Sequence, residues 1–218
     1  MELLLKFADL ILHIDKYLVE IVSLYGTATY FILFFTIFLE TGAVIMPFLP
    51  GDSLLFAAGM ISANSNINVF YLFIILSIAA ILGDNLNYSV GKYFGLRIKN
   101  GQSIPFVKKE HVEKTERFYA KYGNKTIIIA RFVPMLRTLA PFFAGFGSLN
   151  YGSFIFYNII GGIMWVFLFL FGGHYFGNMP IVKNNFSIAI IVVIILSLTP
   201  GLFEFIREKY KKEEVHEE

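Results

Sequence analysis

Three stretches of this chain carry no Asp, Glu, Lys or Arg: Ser53 to Gly83, Thr138 to Val182 and Asn184 to Phe203. A helical membrane crossing needs about 20 apolar residues for ~30 Å of hydrocarbon, so each stretch is long enough to cross. The chain is 56% hydrophobic and only 16% charged, with a mean hydropathy of +0.66. A soluble domain would be about a quarter charged, so the expected class is an all-α polytopic membrane protein in a single bundle. A net charge of +2 offers no footprint for nucleic acid. The absence of cysteine excludes disulfides, thiolate metal sites and cysteine nucleophiles together. A cleaved signal peptide is not expected, because Glu2, Lys6 and Asp9 interrupt the first turns.

The charges that remain set a topology. Glu2, Lys6, Asp9, His13, Lys16 and Glu20 recur every three or four residues and face an apolar stripe. That spacing predicts an amphipathic helix over 1–24, lying in the interface or docked on the bundle rim. From Lys92 to Lys125 there are nine basic residues against three glutamates, which places this loop on the cytoplasmic side. Within it, 104–122 reads as a second amphipathic helix, ended by Gly123. The charged tail, 206–218, is expected on the same side. Transmembrane helices are expected over 68–95, 151–177 and 181–205, the first running inward, the second outward and the third inward.

Two apolar stretches do not read as simple crossings. Segment 26–63 is a first helix followed by an apolar stretch from Ala43 to Ser62 that contains Pro47, Pro50, Gly51 and Asp52, and segment 125–150 contains Arg131, Pro134, Arg137, Pro141 and Gly145. Paired prolines free backbone groups that cannot face lipid unsatisfied, so both are expected to be re-entrant hairpins whose broken tips meet at mid-membrane. An internal repeat accompanies them. Phe56-Ala57-Ala58-Gly59 is echoed by Phe142-Phe143-Ala144-Gly145, and Gly91-Lys92-Tyr93-Phe94-Gly95 by Gly173-His174-Tyr175-Phe176-Gly177, at offsets of 86 and 82 residues. Each copy is a hairpin followed by a long span, and the two spans run in opposite directions. The expected architecture is thus an inverted repeat, the arrangement of secondary transporters.

Five charges are left at membrane depth: Glu40, Asp52, Asp84, Arg131 and Arg137. Even a lenient insertion scale charges about 2.5 to 3.5 kcal/mol for one of these at the bilayer centre. The arginine forks suit capture of a phosphate, or else pair with Glu40 and Asp52 to hold the hairpins together. Glu40 stands between desolvation, which favours its neutral form, and the opposed arginines, which favour its charge, and so is a candidate proton carrier. Asp52 fits either an N-cap or proton coupling. Asp84, with Asn85, Asn87 and Tyr88, fits a wet cavity or a network with an arginine. No two histidines have metal-ligand spacing, so no metal or other cofactor is expected. Trp165 and the phenylalanines read as lipid-facing or packing residues. No phosphate-binding loop or nucleophile elbow occurs, so an enzyme is not expected.

These residues resemble the DedA family of bacterial inner-membrane proteins, related to the VTT-domain lipid scramblases. The resemblance rests on Glu40, Pro47, Pro50-Gly51-Asp52, Gly83-Asp84, Tyr88, Gly91, Arg131-Phe132-Val133-Pro134-Met135-Leu136-Arg137, Pro141 and Ala144-Gly145. Lys92 and Leu149 depart from residues common in the family, neither at a charged core position. What the resemblance implies is a lipid transporter of the bacterial inner membrane, with residues matching Glu40, Asp52, Arg131 and Arg137 as the functional set. It implies undecaprenyl phosphate as cargo, or a phospholipid such as phosphatidylethanolamine, and dependence on the proton gradient. Competing expectations are a proton-coupled ion or solute antiporter using the same carboxylates, and a polyprenyl-diphosphate phosphatase. The oligomeric state, a homodimer included, is left open by the sequence.

Overall fold

The computed structural model describes residues 26–43, 51–63, 65–100, 109–147 and 149–180, with isolated positions 182, 189, 192 and 199. The expected helix over 1–24, the segment holding Pro47 and Pro50, residues 104–108 and the tail lie outside these. The expected span 181–205 is described only at the isolated positions.

The elements among the described residues are all helices, without strands. After a 3-10 turn at Gly26–Ala28 come α1 (Thr29–Gly42), α2 (Gly51–Ser62), α3 (Val69–Lys99) and α4 (Lys109–Tyr122). They are followed by α5 (Thr126–Ala130), α6 (Pro134–Phe146) and α7 (Tyr151–Gly177). Helices α3 and α7, with 31 and 27 residues, are long and apolar enough to cross a membrane. Each starts on an asparagine cap. Asn68 Oδ1 accepts from the amides of Phe70 and Tyr71, and Asn150 Oδ1 from that of Ser153, satisfying first-turn donors. The two caps stand 82 residues apart, the offset of the second repeat motif.

Contacts fix the helix directions. Phe70 meets Phe171, Phe73 meets Phe167 and Tyr88 stacks on Phe154, so α3 and α7 are antiparallel. Helix α6 runs parallel to α3, with Thr138 joined to Asn87 and the backbones of Phe142 and Phe146 against Gly91 and Gly95. Helix α2 runs parallel to α7, with Phe56 against Gly173 and Met60 against Gly177. These contacts are equivalent under the repeat: a Cβ added at Gly91 would strike the Phe142 carbonyl, and one at Gly173 the Phe56 carbonyl. The reciprocal glycines match as well, Gly145 lying on the Tyr88 carbonyl and Gly59 on that of Leu170. Lipid supplies no hydrophobic drive between helices, so such close backbone approach is what holds them. The second short helix of each repeat, α2 or α6, packs on the long helix of the other repeat.

The short helices end or begin midway along the long ones. Helix α1 runs parallel to α3, from Tyr30 beside Asn68 to Gly42 beside Gly83. Its last turn then meets the start of α2, where the Gly51 amide donates to Glu40 Oε1 at 2.9 Å. At the opposite end of the bundle, α4 is tied to the end of α3 by the Lys99–Glu116 ion pair. It is tied to α6 by the Tyr119 hydroxyl, which donates to the Ala140 carbonyl at 2.7 Å. From there α5 leads to a break at Arg131–Val133, and α6 begins at Pro134. Val133 is extended, the conformation favoured before a proline. Pro141 does not end α6: the helix continues through it to Phe146, and the neighbouring carbonyls of Thr138 and Ala140 take side-chain donors. Outside, Phe70, Ile74, Ile78, Phe156, Phe167 and Leu168 present an exposed apolar surface suited to lipid.

Candidate functional site

The end of α1, the start of α2, the middle of α3, the break before α6 and the middle of α7 converge on one buried cluster. Glu40 is 1% exposed, Asp84 1%, Arg131 2%, Arg137 3% and Asp52 6%. All five deep charges of the sequence therefore share one site.

The cluster has two centres. Arg137, one turn into α6, donates through Nη2 to Glu40 Oε1 and through Nη1 to Asp52 Oδ1, the latter at 2.6 Å. Arg131, at the break, pairs through Nη2 with Asp84 Oδ2 and also reaches Asn158 Oδ1 at 2.5 Å. The pairing expected of both arginines with Glu40 and Asp52 is thus found for Arg137 alone. Asp84 is the carboxylate of Arg131, the network alternative for that residue. Gly51 is needed where it stands, because a Cβ there would occupy the position of the Glu40 carboxylate. Gly145 sits away from the charges, where α6 meets α3. Pro134 opens α6 between the two arginines.

Three further residues complete the site. Trp165, on α7 and wholly buried, donates its Nε1 hydrogen to Asp52 Oδ1 at 2.8 Å. Its ring lies 4.8 Å from the Arg137 guanidinium carbon and 5.9 Å from that of Arg131. Asn158 donates to the Ile81 carbonyl while accepting from Arg131. Asn87 donates to the carbonyls of Thr138, at 2.7 Å, and Thr41, at 3.3 Å, joining α6 and α1 to α3. The sequence expectation for Trp165 was packing or lipid contact. It is packed, and it is also a polar partner of the site. A signal was present: tryptophan normally collects at membrane interfaces, and the one tryptophan here stands in the middle of a long apolar span. Asn158 carried a weaker one, as an amide within a charge-free run.

A cluster of two guanidiniums and three carboxylates cannot be explained by stability alone, since buried ion pairs stabilise poorly against apolar replacements. Within it, Glu40 Oε2, Asp84 Oδ1, Arg131 Nη1 and Arg137 Nε have no hydrogen-bond partner among the described residues. Two donors and two acceptors of the charged groups are thereby left over, in a place where unmet polar atoms are expensive.

Two helices long and apolar enough to cross a membrane, with short helices meeting on buried charges, define a helical membrane protein, and residues 49–175 match the VTT domain family. The chain is 45% identical to protein DedA of Escherichia coli K12 over 211 residues, covering 96% of each chain. It is 35% identical to an uncharacterized membrane protein of Mycobacterium tuberculosis H37Rv over 182 residues, 83% of this chain and 80% of the other. It is also 28% identical to the inner membrane protein YqjA of Escherichia coli K12 over 188 residues, 83% and 86% of the two chains. The chain belongs to the DedA family of VTT-domain membrane proteins. No solved structure matches it.

Proposed function

We propose that this protein moves a phosphate-bearing lipid between the leaflets of the bacterial cytoplasmic membrane, with undecaprenyl phosphate as the cargo, and that protons drive the exchange. The observation that carries the reading is the meeting of Arg131 and Arg137 with Glu40, Asp52 and Asp84 where the broken helices converge. In this reading α1 with α2, and α5 with α6, are re-entrant hairpins entering from opposite faces. The short helices that reach only the middle of α3 and α7 support that geometry. The end with Lys99 and α4 faces the cytoplasm, as the basic loop 92–125 requires.

The chemistry follows from the paired groups. A phosphate entering the junction is taken by the guanidinium forks, with Arg131 Nη1 and Arg137 Nε, unpartnered among the described residues, as further donors. Glu40 and Asp52, displaced from Arg137, then hold protons, which avoids leaving bare carboxylates in a dry site. Release to the other leaflet restores the ion pairs and returns the protons. The apolar tail remains in the membrane beside the bundle.

Purified protein in liposomes should carry a labelled polyprenyl phosphate between leaflets, and Arg137→Ala should abolish the movement. Transport by Arg137→Ala at the wild-type rate would show the phosphate role to be wrong. A phosphatidylethanolamine probe in the same vesicles separates the phospholipid alternative. A proton flux that follows added cations rather than lipid would point to an antiporter.

A further inference from the structure

Trp165 touches more of the charged cluster than a packing residue needs to. Its indole hydrogen and Arg137 Nη1 both donate to the same oxygen, Asp52 Oδ1, at 2.8 and 2.6 Å. Its ring face meanwhile lies against the two guanidinium groups, that of Arg137 at 4.8 Å. One side chain from α7 therefore contacts a carboxylate on α2, an arginine on α6 and the arginine at the break between α5 and α6. The repeat makes the position stand out. At the offset of 82, Trp165 corresponds to Gly83 of α3. A Cβ at Gly83 would strike the Thr41 hydroxyl, so in that half α1 fills the space, whereas in the other half the indole fills it. The two repeats match along their glycine contacts and differ at the charged junction.

From this we infer that Trp165 is the positioning residue of the site, holding Asp52 and the guanidiniums in place while their mutual ion pair is exchanged for a phosphate. The inference rests on the phosphate-lipid reading. When the headgroup displaces Asp52 from Arg137, Asp52 keeps one donor, the indole N–H. The guanidiniums, freed from carboxylates, keep the aromatic face, whose attraction for a cation grows as the site is desolvated. The groups facing this residue are Asp52 on α2, Glu40 on α1 through Arg137, Asp84 on α3 through Arg131, and the arginines themselves. The N–H and the ring face thus have separable tasks, and two substitutions divide them.

Full-length protein in liposomes, assayed with a labelled polyprenyl phosphate at varied lipid content, gives the test. Trp165→Phe keeps the face and removes the N–H; the maximal rate should fall roughly tenfold with the half-saturating lipid content held within about twofold. Trp165→Leu removes both; the half-saturating content should also rise at least about fivefold. Wild-type values in both variants, or an equal fall in maximal rate with no change in half-saturation, would overturn the role. A second measurement needs no variant. Trp165 is the sole tryptophan, so its emission should shift when detergent-solubilised wild type is titrated with a short-chain polyprenyl phosphate. Unmoved emission in protein that transports the lipid overturns the role of Trp165 alone, whereas a wild type that moves no phosphate lipid removes the transport reading beneath it.

Discussion

Arg131 and Arg137 stand six residues apart on either side of Pro134, yet loss of their partners should have unequal consequences. A guanidinium cannot shed its charge, whereas a carboxylate left alone can take a proton. Asp84→Asn leaves Arg131 buried without a carboxylate partner and should destabilise by about 3 to 5 kcal/mol. Arg137→Gln leaves Glu40 and Asp52, which can neutralise, and should destabilise less while still stopping transport. Thermal unfolding in detergent compares the two, and an equal loss would mean that the pairs are not distinguished by which charge is orphaned. The five charges were legible in the sequence because nothing else charged falls within the apolar stretches. Which arginine takes which carboxylate was not legible, since Asp84 and Arg131 lie 47 residues apart and meet only through the packing of α6 on α3 and of α5 on α7. Nor did the sequence reveal that Trp165 faces inward, because an apolar helix has no polar face to orient it.

Between helices, the close contacts are backbone on backbone. Gly91 and Gly173 lie on the carbonyls of Phe142 and Phe56, so Gly91→Leu should lift α6 from α3 and Gly173→Leu should lift α2 from α7. Each is expected to destabilise by at least about 1 to 3 kcal/mol, as overpacking does, read as a lower melting temperature. A substituted protein that melts at the wild-type temperature would mean these contacts do not hold the helices. On the cytoplasmic side of the proposed topology, α4 is fastened to α6 by the Tyr119 hydroxyl. Burial pushes that hydroxyl above its ordinary range, so it stays a neutral donor at physiological pH and the contact does not titrate there. Tyr119→Phe should lose about 1 kcal/mol by the same measurement, with no dependence on pH in the neutral range. Helix α7 lies wholly within the charge-free stretch from Thr138 to Val182, whereas α3 extends to Lys99, because Arg97 and Lys99 can reach past the apolar zone at a helix end. Pro141 costs α6 only the bond to the Arg137 carbonyl four residues back, and the helix continues to Phe146 while Asn87 and Tyr119 donate to the neighbouring carbonyls of Thr138 and Ala140.

Over the whole molecule, the repeat was visible as two short motifs at nearly equal offsets, and the same glycines make equivalent contacts in the two halves. The exchange of partners was not visible, because equal offset says which residues correspond and not which helices touch. The exchange makes the molecule two interlocked halves whose charged tips close on each other. If both short pairs are re-entrant, Thr27 and Asn66 lie on the outer face, and Lys125 and Tyr151 on the cytoplasmic face. The chain has no cysteine, so single Thr27→Cys, Asn66→Cys, Lys125→Cys and Tyr151→Cys variants can be labelled cleanly with a membrane-impermeant maleimide. Labelling of the first two from outside and the last two only from inside is expected; Thr27 and Asn66 on opposite faces would rule out re-entry of α1 and α2. The central claim is that the buried arginines recognise a lipid through its phosphate, and leaflet-to-leaflet movement of a polyprenyl phosphate beside the matching phosphate-free polyprenol, in the same proteoliposomes, tests it most directly. The phosphate form should move at a rate that Arg137→Ala abolishes while the alcohol stays at the protein-free rate. Equal acceleration of both lipids, unaffected by that substitution, would contradict it.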